Sequence, residues 1–456
     1  MPYILNTPQD QQAMLEAIGA ASIDELFEQV PEDIQLKRPL VLPPAMTEME
    51  LTVHMGALAS KNQAAGQGVC FLGGGSYDHF VPAVVDELAS RGEFYTSYTP
   101  YQPEVSQGNL QATFEYQTLI TQLTGMDVSN ASLYDGGSAV TEAVLMAIGA
   151  TRRSGNVVLA GGVHPEHRQI LDTYLTNHET TPITLPAETG RTAIDQLEAA
   201  VNAQTACVVV QHPNFFGCLE QVQAIAEVTH KAGALLVVSA DPISLGLLKR
   251  PGDYGADIVV AEGQSLGTPM LYGGPYLGIM ACREKFVRRM PGRIAGQTVD
   301  RRGKRCWVLT LQTREQHIRR DKATSNICTN QGLLALRATI YLSLMGPQGM
   351  REAADLCLQK SRYAIEQLTS HDRFSLAFDV PTFKEFVIRD ADDDVAGLLA
   401  RAEAKGFFAG VPLGQWFPPL SDCLLVAVTE KRTRDEIDAL ATLFTHNSQK
   451  AAAVHA

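Results

Sequence analysis

The sequence lacks the cysteine pairs that bind zinc or form the disulfide bonds of a small secreted protein. Its eight cysteines are scattered and form no Cys-x-x-Cys motif, a pattern that argues against a metal site and suits a reducing cytoplasm. No apolar run approaches the roughly 20 residues of a membrane-spanning helix. The N-terminus has no basic stretch leading into an apolar core, so no signal peptide is predicted. We therefore expect a cytoplasmic protein that binds no metal ion and is not associated with a membrane.

Positive charge is also in short supply. The chain has 37 Lys and Arg against 50 Asp and Glu, which leaves a net charge of −13. A protein of this charge has no overall attraction for duplex nucleic acid, and we expect no nucleic-acid partner. Hydrophobic residues make up 45% and charged residues 19% of the 456 residues, which is the composition of a globular protein.

The hydrophobic pattern divides the chain into four parts. Residues 1–69 are predicted to be helical, beginning with a cap at Thr7-Pro8 and a second one at Ser22, and they are too short to hold a core of their own. Residues 70–329 alternate apolar strands with helices, as in a mostly parallel α/β sheet. Residues 330–447 are predicted to form a small α+β domain, and residues 448–456 a frayed tail. The predicted strands of the large domain are Val157–Ala160, Pro182–Leu185, Ala206–Val210, Ala234–Ser239, Asp257–Ala261 and Tyr276–Cys282.

A segment of small residues begins a predicted helix near residue 136. It includes Gly137 and Ser138 within Tyr-Asp-Gly-Gly-Ser-Ala-Val-Thr-Glu-Ala. Small residues at a helix start leave backbone N–H groups free to bind an anion, and the helix dipole favours it. A phosphate cradle and an ordinary capped helix both explain the segment.

Asp241 follows the predicted strand Ala234–Ser239, where ligands of α/β sheets bind. In pyridoxal phosphate enzymes an Asp pairs with the pyridinium nitrogen and a lysine forms the Schiff base; the simpler explanation is an Asp that caps a turn. The lysine is expected after the next strand, but that loop contains none and Gln264 takes its place. Because an amide nitrogen is not nucleophilic, the pattern predicts an aminotransferase-like subunit without its covalent centre.

Two alternatives stay open at this point. The chain could be a self-sufficient pyridoxal phosphate enzyme that uses another lysine, with Lys249 and Lys322 as candidates. The proline-bounded context of Lys249 fits a surface loop better, and Lys322 lies well beyond the strand in question. The chain could also be a non-catalytic scaffold that only stabilises a partner.

Five longer motifs together resemble the glycine cleavage system P-protein, in its first half. The resemblance extends along nearly the whole chain, and accidental agreement of all five is implausible. A length near 456 resembles the alpha chain of the two-chain form. The motifs are residues 71–79 (Phe-Leu-Gly-Gly-Gly-Ser-Tyr-Asp-His), 98–108 (Tyr-Thr-Pro-Tyr-Gln-Pro-Glu-Val-Ser-Gln-Gly), 314–320 (Arg-Glu-Gln-His-Ile-Arg-Arg), 322–329 (Lys-Ala-Thr-Ser-Asn-Ile-Cys-Thr) and 344–349 (Leu-Met-Gly-Pro-Gln-Gly).

The resemblance implies a fold and an activity. The fold is that of the fold-type I pyridoxal-phosphate-dependent transferases. The family decarboxylates glycine with pyridoxal phosphate, releases carbon dioxide and passes the aminomethyl group to the lipoyl arm of H-protein. The cofactor lysine is expected on a beta subunit, which pairs with this chain in an α2β2 heterotetramer. No catalytic residue is then expected in this chain, which would shape or support its partner's site.

The resemblance also suggests which residues matter. The loop from residue 95 to residue 107, here called the Tyr-Pro loop, corresponds to a region that reaches the neighbouring site in fold-type I dimers; interface packing alone is the alternative. Its candidates for the partner site are Tyr98, Tyr101, Gln102, Glu104 and Gln107. The candidates for a vestigial cofactor pocket are Gly137, Ser138, His164, Asp241 and Gln264, and we expect them to be structural, with His164 placed where a ring-stacking residue could lie.

A basic stretch over residues 288–305 stands out in an acidic chain. It could steer an acidic lipoyl carrier by charge complementarity. The simpler interpretation, which we prefer from the sequence, is a solvated loop or ion pairs with the chain's own acids. Its members are Arg288, Arg289, Arg293, Arg301, Arg302, Lys304 and Arg305.

Overall fold

The computed structural model describes residues 5–445, which fall into two compact units, one up to Gln63 and one from Ala64 onward. The tail predicted over 448–456 lies outside the described residues. The predicted domain boundaries after residues 69 and 329 stay predictions. None of the described helices is long and apolar enough to cross a membrane.

The first unit consists of short helices. Thr7 caps the helix Pro8–Ile18 with a reciprocal capping box to Asp10, as the sequence predicts. A second α-helix, Glu48–Ala59, is capped in the same way by Thr47. The helix predicted after Ser22 is wrong in extent: only the 3₁₀ turn Asp24–Phe27 forms. Glu25 accepts from the N–H of Ala21 and not from that of Ser22, so the capping box is incomplete. A further 3₁₀ turn is Glu32–Ile34.

A seven-stranded sheet organises the second unit. The four pairings from Thr181–Thr184 to Ile258–Glu262 are parallel, and the two pairings that Gly278–Cys282 makes with its neighbours are antiparallel. The middle strands are nearly all aliphatic and buried, because helices cover both faces. The strands in spatial order are Val128–Ser129, Gly278–Cys282, Ile258–Glu262, Leu235–Ala240, Thr205–His212, Asn156–Leu159 and Thr181–Thr184. All six strands predicted for this region are confirmed to within a few residues.

The helices of this unit connect or cover the strands. The long helix Gly332–Leu368 is interrupted at Gly346, whose φ of 59° and ψ of −175° are not helical, so a first helix ends just before Pro347. The other helices are Ala83–Ala89, Gly92–Tyr95, Gln107–Thr124, Gly136–Thr151, Pro165–Leu175, Ile194–Ala200, Val222–Lys231, Gln316–Arg319, Val395–Glu403 and Arg434–Thr445.

A second, antiparallel sheet of four strands follows the long helix. Its strands in spatial order are Phe374–Leu376, Glu385–Asp390, Cys423–Ala427 and Val411–Pro412. A cluster of aromatic side chains that includes Phe215, Phe216 and Phe378 packs the turn after Thr205–His212 against this sheet. The contact brings the start of the strand Glu385–Asp390 to the carboxyl end of the large sheet. A separate hairpin pairs Ile294–Val299 with Arg305–Thr310, and Val69–Cys70 pairs with Phe407–Phe408.

Candidate functional site

A small cavity lies where the strands Leu235–Ala240 and Ile258–Glu262 end. Its volume is about 40 Å³, enough for a water molecule or two. Of the predicted pocket residues, His164 and Asp241 line it directly. The other charged side chains of its wall are Glu262, Lys384 and Glu385.

The carboxylate of Asp241 is paired with a lysine that the sequence analysis did not single out. Lys384 Nζ lies 2.8 Å from Asp241 Oδ2, and the lysine side chain is 1% exposed. The ammonium also lies 3.5 Å from the ring centroid of Tyr77 and donates to His79 Nε2 at 3.0 Å. A carboxylate, a π face and an imidazole therefore surround this buried cation on three sides.

Tyr77 joins the cation to a second buried acid. Its hydroxyl donates to Glu385 Oε2 at 2.8 Å, and the N–H of Gly74 donates to Oε1 of the same carboxyl at 2.7 Å. Burial raises the pKa of Glu385 to about 7. The charged groups of the wall thus satisfy one another, whereas His167 Nδ1 and Ser265 Oγ in the same wall have no hydrogen-bond partner.

Gln264 is fully occupied at the position where a Schiff-base lysine is expected. Its Oε1 accepts from the N–H of Tyr77 at 2.9 Å, and its Nε2 donates to the carbonyls of Tyr77 and Thr268 at 3.0 and 2.7 Å. The side chain is buried. Gln264 therefore fastens the segment 71–79 to the loop after the strand.

The predicted anion cradle is filled by the chain's own carboxylates. Asp135 caps the helix Gly136–Thr151 by accepting from the N–H of Ser138 at 2.7 Å. Glu262 accepts from the N–H of Gly136 at 2.9 Å, and from two further N–H groups, of Gln264 and Leu277. Burial raises the pKa of Glu262 to about 7.

Gly137 and His164 have structural surroundings. A Cβ at Gly137 would lie 2.5 Å from Ile170 Cδ1, so glycine allows two helices to approach. The His164 ring stacks on His167 with centroids 4.4 Å apart, and its Nε2 bonds the carbonyl of Gly74 at 2.7 Å. Burial lowers the pKa of His164. One face of the His164 ring is therefore covered by a second imidazole.

These residues do not fit pyridoxal phosphate. The cavity is far smaller than the roughly 300 Å³ at which ligand pockets begin, Asp241 already has a cation, and carboxylates hold the cradle. Lys249 and Lys322 are both exposed and do not line the cavity. The lysine that does line it, Lys384, stands in no motif that could have identified it.

The Tyr-Pro loop presents most of its candidate side chains to solvent. Tyr98 is 87% and Tyr101 61% exposed, and Gln102 and Glu104 are exposed as well. Gln107 differs, because its amide exchanges two hydrogen bonds with the backbone of Trp307, at 2.9 and 3.0 Å. It positions the loop against the hairpin and is not free to reach a partner.

A cavity of about 250 Å³ lies under this loop, with Tyr98 and Arg293 in its wall. Arg293 is 4% exposed, so it is not solvated, and its Nε lies 3.9 Å from Glu315 Oε2, an ion pair with one of the chain's own acids. Its guanidinium donates to the carbonyl of Cys328 and the amide oxygen of Asn330 at 3.1 Å, and lies 5.6 Å from the ring centroid of Tyr101. The burial of Arg293 had no signal in the sequence beyond the basic run itself.

The rest of the basic stretch is exposed. Arg301, Arg302, Lys304 and Arg305 lie at the tip of the hairpin, and Arg288 and Arg289 are exposed just before it. Within residues 5–445 none of these six side chains forms an ion pair. Pairing with the chain's own acids is therefore the wrong explanation for them, which leaves a solvated tip or a docking surface.

One group of side chains has the composition of a metal site. The ligand atoms of His79, Cys357 and Glu430 lie within 4.8 Å of one another. They already form a hydrogen-bonded chain: His79 Nδ1 lies 2.6 Å from Glu430, and Cys357 Sγ lies 3.4 Å from the same carboxyl. The ammonium of Lys384 on the other nitrogen of His79 would repel a cation.

Known proteins resemble this chain along its whole length. The family profile described as "Glycine cleavage system P-protein" matches residues 1–444. The "Probable glycine dehydrogenase (decarboxylating) subunit 1" of Desulforamulus reducens is 51% identical over 443 residues, which are 97% of this chain and 98% of the relative. A crystal structure of glycine decarboxylase (P-protein) of the glycine cleavage system, in inhibitor-bound form, superposes with a TM-score of 0.90 at 43% identity, covering 98% of this chain and 100% of that one.

A more distant structure shares the fold alone. Glutamate decarboxylase of Lactobacillus brevis has a TM-score of 0.69 at 13% identity, over 93% of this chain and 97% of its own. The fold class predicted from the sequence is confirmed by these structures.

Proposed function

This chain belongs to the glycine cleavage system P-protein family, and we propose that it is the alpha subunit of a two-chain glycine decarboxylase whose cofactor belongs to the beta subunit. The observation that carries the proposal is the cavity at Asp241, which is filled by Lys384 in a chain so similar to subunit 1 relatives. With that partner the enzyme decarboxylates glycine, releases carbon dioxide and transfers the aminomethyl group to lipoylated H-protein. Pyridoxal phosphate supplies the electron sink for loss of the carboxyl group.

The part proposed for this chain is to complete its partner's site with the Tyr-Pro loop. Exposed tyrosines provide rigid surface with a polar end, which suits an interface. Arg293 and Gln107 support the loop from beneath, as their contacts with Tyr101 and Trp307 indicate. Tyr98, Tyr101, Gln102 and Glu104 are the side chains proposed to face the partner.

The deciding experiment uses this chain with and without its partner. The purified chain is mixed with pyridoxal phosphate and reduced with borohydride, which traps any imine. We expect no adduct on the chain alone, and glycine–bicarbonate exchange once the lysine-bearing subunit is added. A stoichiometric adduct on one lysine of this chain would overturn the proposal and favour a self-sufficient enzyme.

A pure scaffold role is separated from this proposal by substitutions in the loop. Tyr101→Phe and Glu104→Gln are introduced into the assembled complex. If the loop completes the partner's site, turnover or the KM for glycine changes while assembly persists. If neither changes, the chain only stabilises its partner.

A further inference from the structure

Asp241 has a cation of the chain's own as its partner. In pyridoxal phosphate enzymes an acid of this kind binds the pyridinium nitrogen. Here its Oδ2 lies 2.8 Å from the ammonium of Lys384, inside a cavity of about 40 Å³. The positive charge that a cofactor ring would offer to Asp241 is already supplied from within.

At the anion cradle, side chains of the chain supply the negative charge that a cofactor's phosphate would bring. A helix N-terminus at such a site binds a phosphate group. At the start of the helix Gly136–Thr151 the carboxylate of Glu262 accepts from the N–H of Gly136, and Asp135 accepts from that of Ser138. A phosphate would meet two carboxylates there and find these donors occupied.

We propose that Lys384 and Glu262 are built-in replacements for a cofactor's ring nitrogen and phosphate, which close the pocket to ligands and fasten the second sheet onto the large one. Lys384 immediately precedes the strand Glu385–Asp390 of the second sheet, whereas Asp241 follows the strand Leu235–Ala240 of the large sheet. The contact that Asp241 would make with a cofactor is thus made between two elements of the same chain.

Because the Lys384–Asp241 ion pair, here called the clasp, is buried, its contribution to stability can be measured. Lys384 and Asp241 have side-chain exposures of 1% and 12%. Removing one member of a buried pair leaves an uncompensated charge, whereas removing both charges is far less costly. A coupled pair therefore has a recognisable signature in a double-mutant cycle.

The first test compares Lys384→Met, Asp241→Asn and the double variant in the full chain. We expect Lys384→Met to lower the midpoint of thermal unfolding by several degrees and Asp241→Asn, added to it, to restore a substantial part of the loss. Lys431→Met is the matched control, because it breaks the more exposed pair with Asp78 at 2.7 Å, and a loss of a degree or less is expected. A single Lys384→Met variant as stable as the wild type, or no recovery in the double variant, overturns the clasp. If Lys384→Met does not fold, a folded double variant still reports the coupling.

The second test examines the cradle. Asp135→Asn keeps the cap but removes its charge, and Glu262→Ala added to it frees the N–H of Gly136. We expect millimolar inorganic phosphate to raise the unfolding midpoint of this double variant more than that of Asp135→Asn alone. Equal shifts in both proteins would show that Glu262 does not replace a phosphate.

Ligand binding by the wild type completes the test. Pyridoxamine 5′-phosphate, which needs no lysine, is followed by equilibrium dialysis against the full chain. Saturable binding at one site of the wild type that Asp241→Asn removes would overturn the inference, and the absence of such binding supports it. The inference rests on the proposed function in assigning the cofactor to a partner. Failure of that function would appear separately, as missing glycine exchange in the mixture of subunits.

Discussion

Residues that pair with one another, and not with a ligand, dominate the carboxyl end of the large sheet. Gln264 shows this most simply, because its amide reproduces the hydrogen bonds of a neighbouring strand along Tyr77. A lysine at that position could donate to a carbonyl but could not accept from the N–H of Tyr77. Gln264 therefore offers no nucleophile at this position and connects the segment 71–79 to the loop after the strand.

A buried acid outside this region gives the chain a dependence on pH. Glu142 is 2% exposed on the helix Gly136–Thr151, and burial raises its pKa to about 7. The folded chain then holds this proton more tightly than the unfolded chain does. Its stabilising effect is complete below the usual carboxyl pKa and is lost as the pH rises toward 7, by up to about 3 kcal/mol.

We predict that Glu142→Gln reduces the decline in stability between about pH 5 and about pH 7.5 without abolishing it, because the pKa values of Glu262 and Glu385 are also raised to about 7. The measurement is the midpoint of urea unfolding at both pH values. Glu198→Gln, on the exposed side of another helix, is the control and should keep the wild-type slope. A slope unchanged by Glu142→Gln would show that this carboxyl does not titrate in that range.

The sequence was sufficient for the residues that stand in patterns and insufficient for those that do not. Asp241 follows a continuous apolar strand, and Gln264 stands after the next strand at the position expected for the lysine, so both could be predicted. Lys384 reaches Asp241 only because the second sheet folds back over the large one. Nothing local to Phe383-Lys384-Glu385 encodes that long-range contact.

At the scale of elements, the position of the strand Glu385–Asp390 depends on the close approach of its backbone to that of Gly217. Gly217 has a φ of +79°, and a Cβ there would lie 1.9 Å from the carbonyl oxygen of Glu385. Gly303, in the turn of the hairpin, has nearly the same φ of +76° but no atom within 4 Å of its Cβ position. Substituting each of the two glycines therefore distinguishes the cost of backbone strain, which both positions share, from the cost of a steric clash, which only Gly217 has.

We predict that Gly303→Ala costs about 1 kcal/mol, the strain of a left-handed residue. Gly217→Ala should cost at least about 2 kcal/mol more, because the strand must move away from its turn. Urea unfolding of both variants gives the comparison. Equal losses of unfolding free energy in the two variants would mean that the strand shifts to accommodate the methyl group at no cost.

The hairpin is the element on which the charge hypothesis depends. We predict that Arg301→Glu with Arg302→Glu raises the apparent KM for H-protein roughly tenfold at low salt, because reversed charges oppose an acidic carrier. High salt should remove the difference. Lys249→Glu with Lys405→Glu, two exposed lysines outside the hairpin, is the matched control. A KM that stays at the wild-type value would leave the tip a solvated loop.

At the scale of the whole molecule, periodicity predicted the large sheet because its strands are buried on both faces and its helices are amphipathic. The helices of the first unit were harder to predict from the sequence. Their capping residues are recognisable, but few of their side chains are buried, so the hydrophobic pattern is weak. None of its helices contains a buried residue, and Phe27 and Val53 are 59% and 69% exposed. Apolar side chains of this kind indicate a surface meant for contact.

We predict that Phe27→Asp with Val53→Asp weakens assembly with the second subunit at least tenfold, because charges would enter an apolar interface. The unfolding midpoint of the chain alone should not change, since both side chains are exposed. Gln9→Asp with Gln29→Asp adds the same charge to the same unit and is the control. Wild-type affinity in the Phe27 and Val53 variant would exclude these side chains from the interface.

The self-occupied cavity has a consequence for spectroscopy. An assembly of two chain types in which one pocket is closed carries a single chromophore for each pair of subunits. The cofactor absorbance of the complex would then count competent pairs directly, with no second signal beneath it. Any change in its band during turnover would report on one environment only.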